Sequence, residues 1–176
     1  MPISYFDLAL LLIIGGFSLF GLWFGFVHTL GSLLGSVAGV YLASHYYEPI
    51  ANWLIKTTGW GENFSKVIIF IIVFFIINRL IGLAFWLVDK FLSFFTNLPF
   101  IHSIDRLFGL IFGFLEGSIV LGIAFYFIGK FPLGDKFMSW VIDSKVVPHL
   151  VKLAAILWPF LPEALKMIQT SIPGLN

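Results

Sequence analysis

Charged residues divide the chain into long apolar blocks. Between Asp7 and Glu48 lie 40 consecutive uncharged residues, 8–47. A single helix of that length would run about 60 Å, twice a hydrocarbon core about 30 Å thick, so the block predicts two spans and a turn. Glycine and polar residues interrupt the aliphatic run from Gly25 to Thr29, and the break is expected there. The two spans then fall near 8–24 and 30–47. Tyr5 and Trp23 sit at the ends of the first, and Tyr46 and Tyr47 at one end of the second, as interfacial aromatics do. A polar connection, 48–66, contains Pro49, Gly59 and Gly61. The third span, 67–88, carries one charge, Arg79. After a polar segment, 89–106, the fourth span, 107–129, also carries one charge, Glu116. Residues 131–176 place lysines and prolines between apolar stretches too short to cross, a pattern of amphipathic helices lying at the interface. The expected fold is an all-α membrane protein, with a four-span transmembrane domain over 1–130 and an amphipathic interfacial helical tail over 131–176.

Composition agrees with this pattern. The 176 residues are 60% hydrophobic and 11% charged, against about 45–50% and about 25% in soluble domains. A 19.8 kDa globule with mean hydropathy +1.03 could not bury that much apolar surface. The lipid bilayer is therefore the expected partner. A net charge of +1 offers no basic stripe, which excludes a nucleic-acid binder. The 22 phenylalanines and six tryptophans exclude a disordered chain. No lysine or arginine precedes the first apolar run, so a cleaved signal peptide is not expected. With four spans, Lys56, Lys66, Lys130, Lys136 and Lys145 share one side and Lys90 and Arg106 the other, which favours cytoplasmic termini.

Candidate chemistry is sparse. The chain has no cysteine, and His28, His45, His102 and His149 form neither an i, i+4 pair nor HExxH spacing, so no metal site is expected. GxSxG, Walker and GxGxxG motifs are absent. No catalytic residue and no cofactor are expected, and the chain reads as a non-enzyme. Two glycine ladders stand out: Gly31, Gly35 and Gly39 on the second span, with Ser32 and Ser36 beside them, and Gly109, Gly113 and Gly117 on the fourth. Residues four apart share a helix face, so each ladder is a smooth groove where backbones can approach closely. Such a groove serves either packing within the chain or association with itself or another membrane protein.

Asp7 at the start of the first span, a glycine-containing turn into a laddered second span, and IDRLFGLIFGFLEG over Ile104–Gly117 together resemble the colicin V production protein family. The resemblance covers roughly residues 5–130 and is most specific at Asp105-Arg106 followed by the ladder. It implies a multi-pass bacterial inner-membrane protein with an accessory or scaffold role in toxin (bacteriocin) production or export and in envelope physiology, without an established catalytic mechanism. The competing class is a small transporter or channel component. Members usually carry arginines in the turn after the first span, whereas this chain reads Gly25-Phe26-Val27-His28-Thr29. A cationic turn would place both termini outside, which leaves topology open. The position of Glu116 is commonly basic in the family.

Arg79 and Glu116 both fall near the bilayer midplane, where an isolated charge facing lipid costs roughly 2.5–3.5 kcal/mol on insertion scales. If spans three and four form a hairpin centred between Asn97 and Leu98, Arg79 meets Glu116 at one depth and Asp89 meets Arg106 at another. Two structural ion pairs are therefore expected, Arg79–Glu116 buried and Asp89–Arg106 near the interface, with Ser103 capping the fourth helix. Asp7 is expected either as a first-turn carboxylate on the helix dipole or as a fixed partner for a cation elsewhere in the bundle.

Overall fold

A single residue separates the first two helices. In the computed structural model, which describes residues 4–93, 99–167 and 172, α1 (Tyr5–Phe24) and α2 (Phe26–Thr58) meet at Gly25. Gly25 has φ +86° and ψ 179°, a backbone conformation that L side chains rarely adopt and glycine tolerates. The expected five-residue turn is thereby reduced to one residue, and α2 starts four residues earlier than the pattern placed it. At its other end α2 does not stop at Tyr47. It runs through Pro49, which removes one backbone N–H but not the helix, to a left-handed cap at Gly59. Most of the connection expected over 48–66 is thus helix. Its apolar face continues, with Tyr47 and Ala51 buried.

Helix α3 (Glu62–Ser93) follows after a three-residue link, and α4 (Pro99–Lys130) opens with proline in the first turn, where its missing N–H costs nothing. Ser103 therefore lies inside α4 and not at its cap. These four helices are long and apolar enough to cross a membrane. Shorter elements follow: α5 (Asp135–Asp143), α6 (Val146–Ala154), a 3-10 segment (Ala155–Phe160) and α7 (Glu163–Met167). Among the described residues there is no strand.

Packing is decided by the glycines. α3 lies along α2: a Cβ on Gly31 would meet the Phe85 side chain, one on Gly35 the Asn78 carbonyl oxygen at 2.9 Å, and one on Gly39 the Phe74 ring at 2.9 Å. α4 lies along α1: Gly109 and Gly113 receive the backbone of Gly21 and Phe17, and Gly117 faces the Phe17 side chain. Both ladders are occupied within the chain. Helices α3 and α4 make little contact with each other, because α2 packs between them. Equal depth on α3 and α4 therefore does not bring side chains face to face.

The tail packs into the same core. Val147, Leu150, Val151 and Ala154 repeat at helical spacing on one face of α6 and are buried, while His149, Lys152 and Leu153 face outward. That face crosses α4 at Gly122, where a side chain would run into the Leu150 carbonyl. Leu157, Leu161 and Leu165 extend the contact. The tail is amphipathic as expected, but its apolar face meets protein.

Candidate functional site

Asp7 and Asp105, the two acids of the family motif, have parallel roles. Asp105, on α4, accepts a hydrogen bond from the backbone N–H of Phe26 at 3.0 Å, and its other oxygen lies against Gly25. It caps α2 from another helix, supplying an acceptor that the one-residue turn lacks. Asp7, fully buried, accepts from the Ser144 hydroxyl and from the N–H groups of Lys145 and Val146, each at 3.4 Å. Ser144 in turn accepts from Val146 and Val147 at 3.2 and 3.1 Å. Asp7 therefore caps the N-terminus of α6, 137 residues away in sequence. The fixed partner expected for it is thus not a cation but the hydroxyl and amides that open a helix.

A cavity of about 420 Å³, mostly apolar in its lining but with a few polar groups, lies between the spans. One wall is α1, with Ile13, Phe17 and Phe20; the other is α3, with Phe75, Asn78 and Arg79. His28, Thr29 and Ser32 of α2 and Glu116 of α4 complete it. It exists because α1 packs on α4 and α3 packs on α2, which leaves the two outer helices apart. Ser32 is the hub. Its hydroxyl faces Asn78 Oδ1 at 3.0 Å and Glu116 Oε1, serving one acceptor at a time. The Asn78 amide donates to the Ser32 carbonyl at 3.3 Å and to Ser36 Oγ at 2.7 Å. Thr29 returns its hydroxyl to its own helix, at Gly25 and Phe26. The network ends there: Val40, Phe70, Phe74 and Phe127 are buried in the core, with Phe70 and Phe127 stacked at 3.9 Å.

Arg79 and Glu116 are brought to one cavity, but not into contact. Glu116 is buried and bound by Ser32; Arg79 is exposed along the cavity wall, and the pair forms no ion pair. The physical reason is the packing order, since α2 occupies the space between α3 and α4 and offers its own hydroxyl first. Arg106 is exposed, and the expected Asp89–Arg106 pair lies outside the described side chains, as does His102. In the sequence pattern Ser32 and Ser36 stand only as neighbours of the Gly31, Gly35 and Gly39 ladder. Their i, i+4 spacing beside the glycines, opposite an asparagine, was the available signal.

A family model described as "Colicin V production protein" matches residues 6–155. The chain belongs to the colicin V production protein family. The match extends past the fourth span to the end of α6, so the Asp7–Ser144 junction falls within the family's extent. The Colicin V production protein of Escherichia coli (strain K12) is similar, with 27% identity over 143 residues, covering 81% of this chain and 84% of that protein. No solved structure matches. Family and helices together make this a multi-pass bacterial membrane protein.

Proposed function

We propose that the chain is a non-enzymatic accessory or scaffold protein of the bacterial inner membrane, acting in toxin production or export and in envelope physiology. Family membership supports the process. The observation that carries the accessory role is the closed end of the polar network, where Phe70, Phe74 and Phe127 fill the bundle beyond Asn78. A polar track that stops inside the protein supports a docking or organising body over a conduit.

The test is deletion of the gene in a toxin-producing strain, scoring secreted toxin and sensitivity to envelope stress, with complementation by the intact chain. Reduced secretion restored by the intact chain is the expected result. A second arm reconstitutes the purified protein in vesicles and follows ion and small-solute release. Release above that of empty vesicles would replace this reading with the transporter or channel alternative, and unchanged toxin secretion would remove the toxin role.

A further inference from the structure

The cavity holds two opposite charges that act on each other electrostatically but make no direct contact. Arg79 makes neither a hydrogen bond nor an ion pair among the described residues, and it stands within a membrane-spanning helix. Glu116 uses Oε1 for Ser32, while Oε2 has no hydrogen bond. That oxygen is not among the sealed, unpartnered side-chain atoms of the described residues, which are His28 Nδ1 and Ser65 Oγ. Glu116 lines the cavity, so that oxygen is open to it, whereas the Nδ1 of His28, another lining residue, is sealed from it. Charges within membrane-spanning helices are expected to pair with something.

Shape limits what that something is. A volume of about 420 Å³ falls in the range of about 300–1,000 Å³ typical of small-molecule sites. A helix about 10 Å across does not enter it. The mouth lies between α1 and α3, helices that do not pack on each other, and is flanked by the exposed apolar side chains of Ile13, Phe20 and Phe75. An occupant enters sideways from the hydrocarbon and keeps an apolar part there.

We propose that this cavity binds a zwitterionic membrane amphiphile, its phosphate on Arg79 and its primary ammonium on Glu116. A guanidinium fork matches phosphate oxygens, and a carboxylate accepts from an ammonium that carries hydrogens. The proposal stands on the cavity and is independent of the accessory role.

The experiment is native mass spectrometry of the purified chain in neutral detergent, with phosphatidylethanolamine, phosphatidylglycerol or phosphatidylcholine added. Phosphatidylglycerol lacks the cation, and the cation of phosphatidylcholine cannot donate a hydrogen bond. Wild type should retain phosphatidylethanolamine about tenfold better than either, a factor that one charge-assisted hydrogen bond provides. Arg79→Gln and Glu116→Gln should each remove the preference, while Arg79→Lys should keep part of it. Glutamine at 116 retains an oxygen for Ser32, and circular dichroism checks that the variants stay folded. Equal retention of the three lipids by wild type would overturn the proposal, as would a preference unchanged in both glutamine variants. Displacement of the lipid by an equimolar amount of free phosphoethanolamine would assign the site to a soluble zwitterion and overturn the lipid assignment.

Discussion

The two motif aspartates define what single residues do in this protein: each ends a helix that is not its own. A cap contributes about 0.5–2 kcal/mol when its acceptor is removed, and a carboxylate adds an interaction with the helix dipole. Asp105→Ala should therefore lower stability by about 0.5–2 kcal/mol, with Asp105→Asn recovering most of the loss because an amide oxygen still faces Phe26. Gly25→Ala should be worse, since the new methyl group meets the Asp105 carboxylate and φ is positive; backbone strain alone contributes about 1–3 kcal/mol. Unfolding by denaturing detergent measures all three. Equal stability of Asp105→Ala and wild type would mean that water satisfies the Phe26 amide. The sequence marked these acids through position and family likeness, but their partners were not legible. Asp105 acts across 79 residues and Asp7 across 137, distances at which local patterning carries no information.

Among the helices, the glycines decide which pairs form, and they do so unevenly. On α1, Gly21 lies directly on the backbone of Gly109, whereas an added Cβ on Gly15 would have nothing within 4 Å. Gly21→Leu should lower stability by about 1–3 kcal/mol or more through overpacking, and Gly15→Leu should be tolerated. If both resisted proteolysis equally, α1 would not seat on α4 as described. Gly122→Leu should lift α6 from α4, exposing the chain near Lys145 to protease while the four spans stay intact. The apolar blocks and the ladders were readable from period and composition, because a span must be long and a groove must lack side chains. Helix ends were less readable. The pattern stopped α2 at Tyr47, but helix continues to Thr58 because Tyr47 and Ala51 are still buried. Nor does a ladder name the helix that fills it, and for this reason the hairpin register that paired Arg79 with Glu116 does not hold: both line one cavity without touching.

At the scale of the whole molecule, two sets of contacts define two ends. Asp105 against Gly25 and Phe26 marks one, joining the α1–α2 turn to the start of α4. At the other, Asp7 holds Ser144, and the Asn63 side chain donates to the Pro132 carbonyl at 3.1 Å. The second end thus gathers the start of α1, the α2–α3 link and the beginning of the tail. Lys56 and Lys136 are exposed at that end, and Arg106 is exposed near the other. The chain has no cysteine, so any introduced thiol is unique. Cysteines at Lys56 and Lys136 should react with a membrane-impermeant maleimide from one face of intact cells or vesicles, and one at Arg106 from the opposite face. The result also fixes orientation, where lysine bias and the family's turn chemistry point opposite ways. Labelling of the Lys56 and Arg106 positions from one face would require an even number of crossings between them, one that α3 alone cannot provide. Labelling of the Lys56 and Lys136 positions from opposite faces would mean that α3 and α4 do not both cross, and the cavity between the spans would lose its lipid-facing mouth.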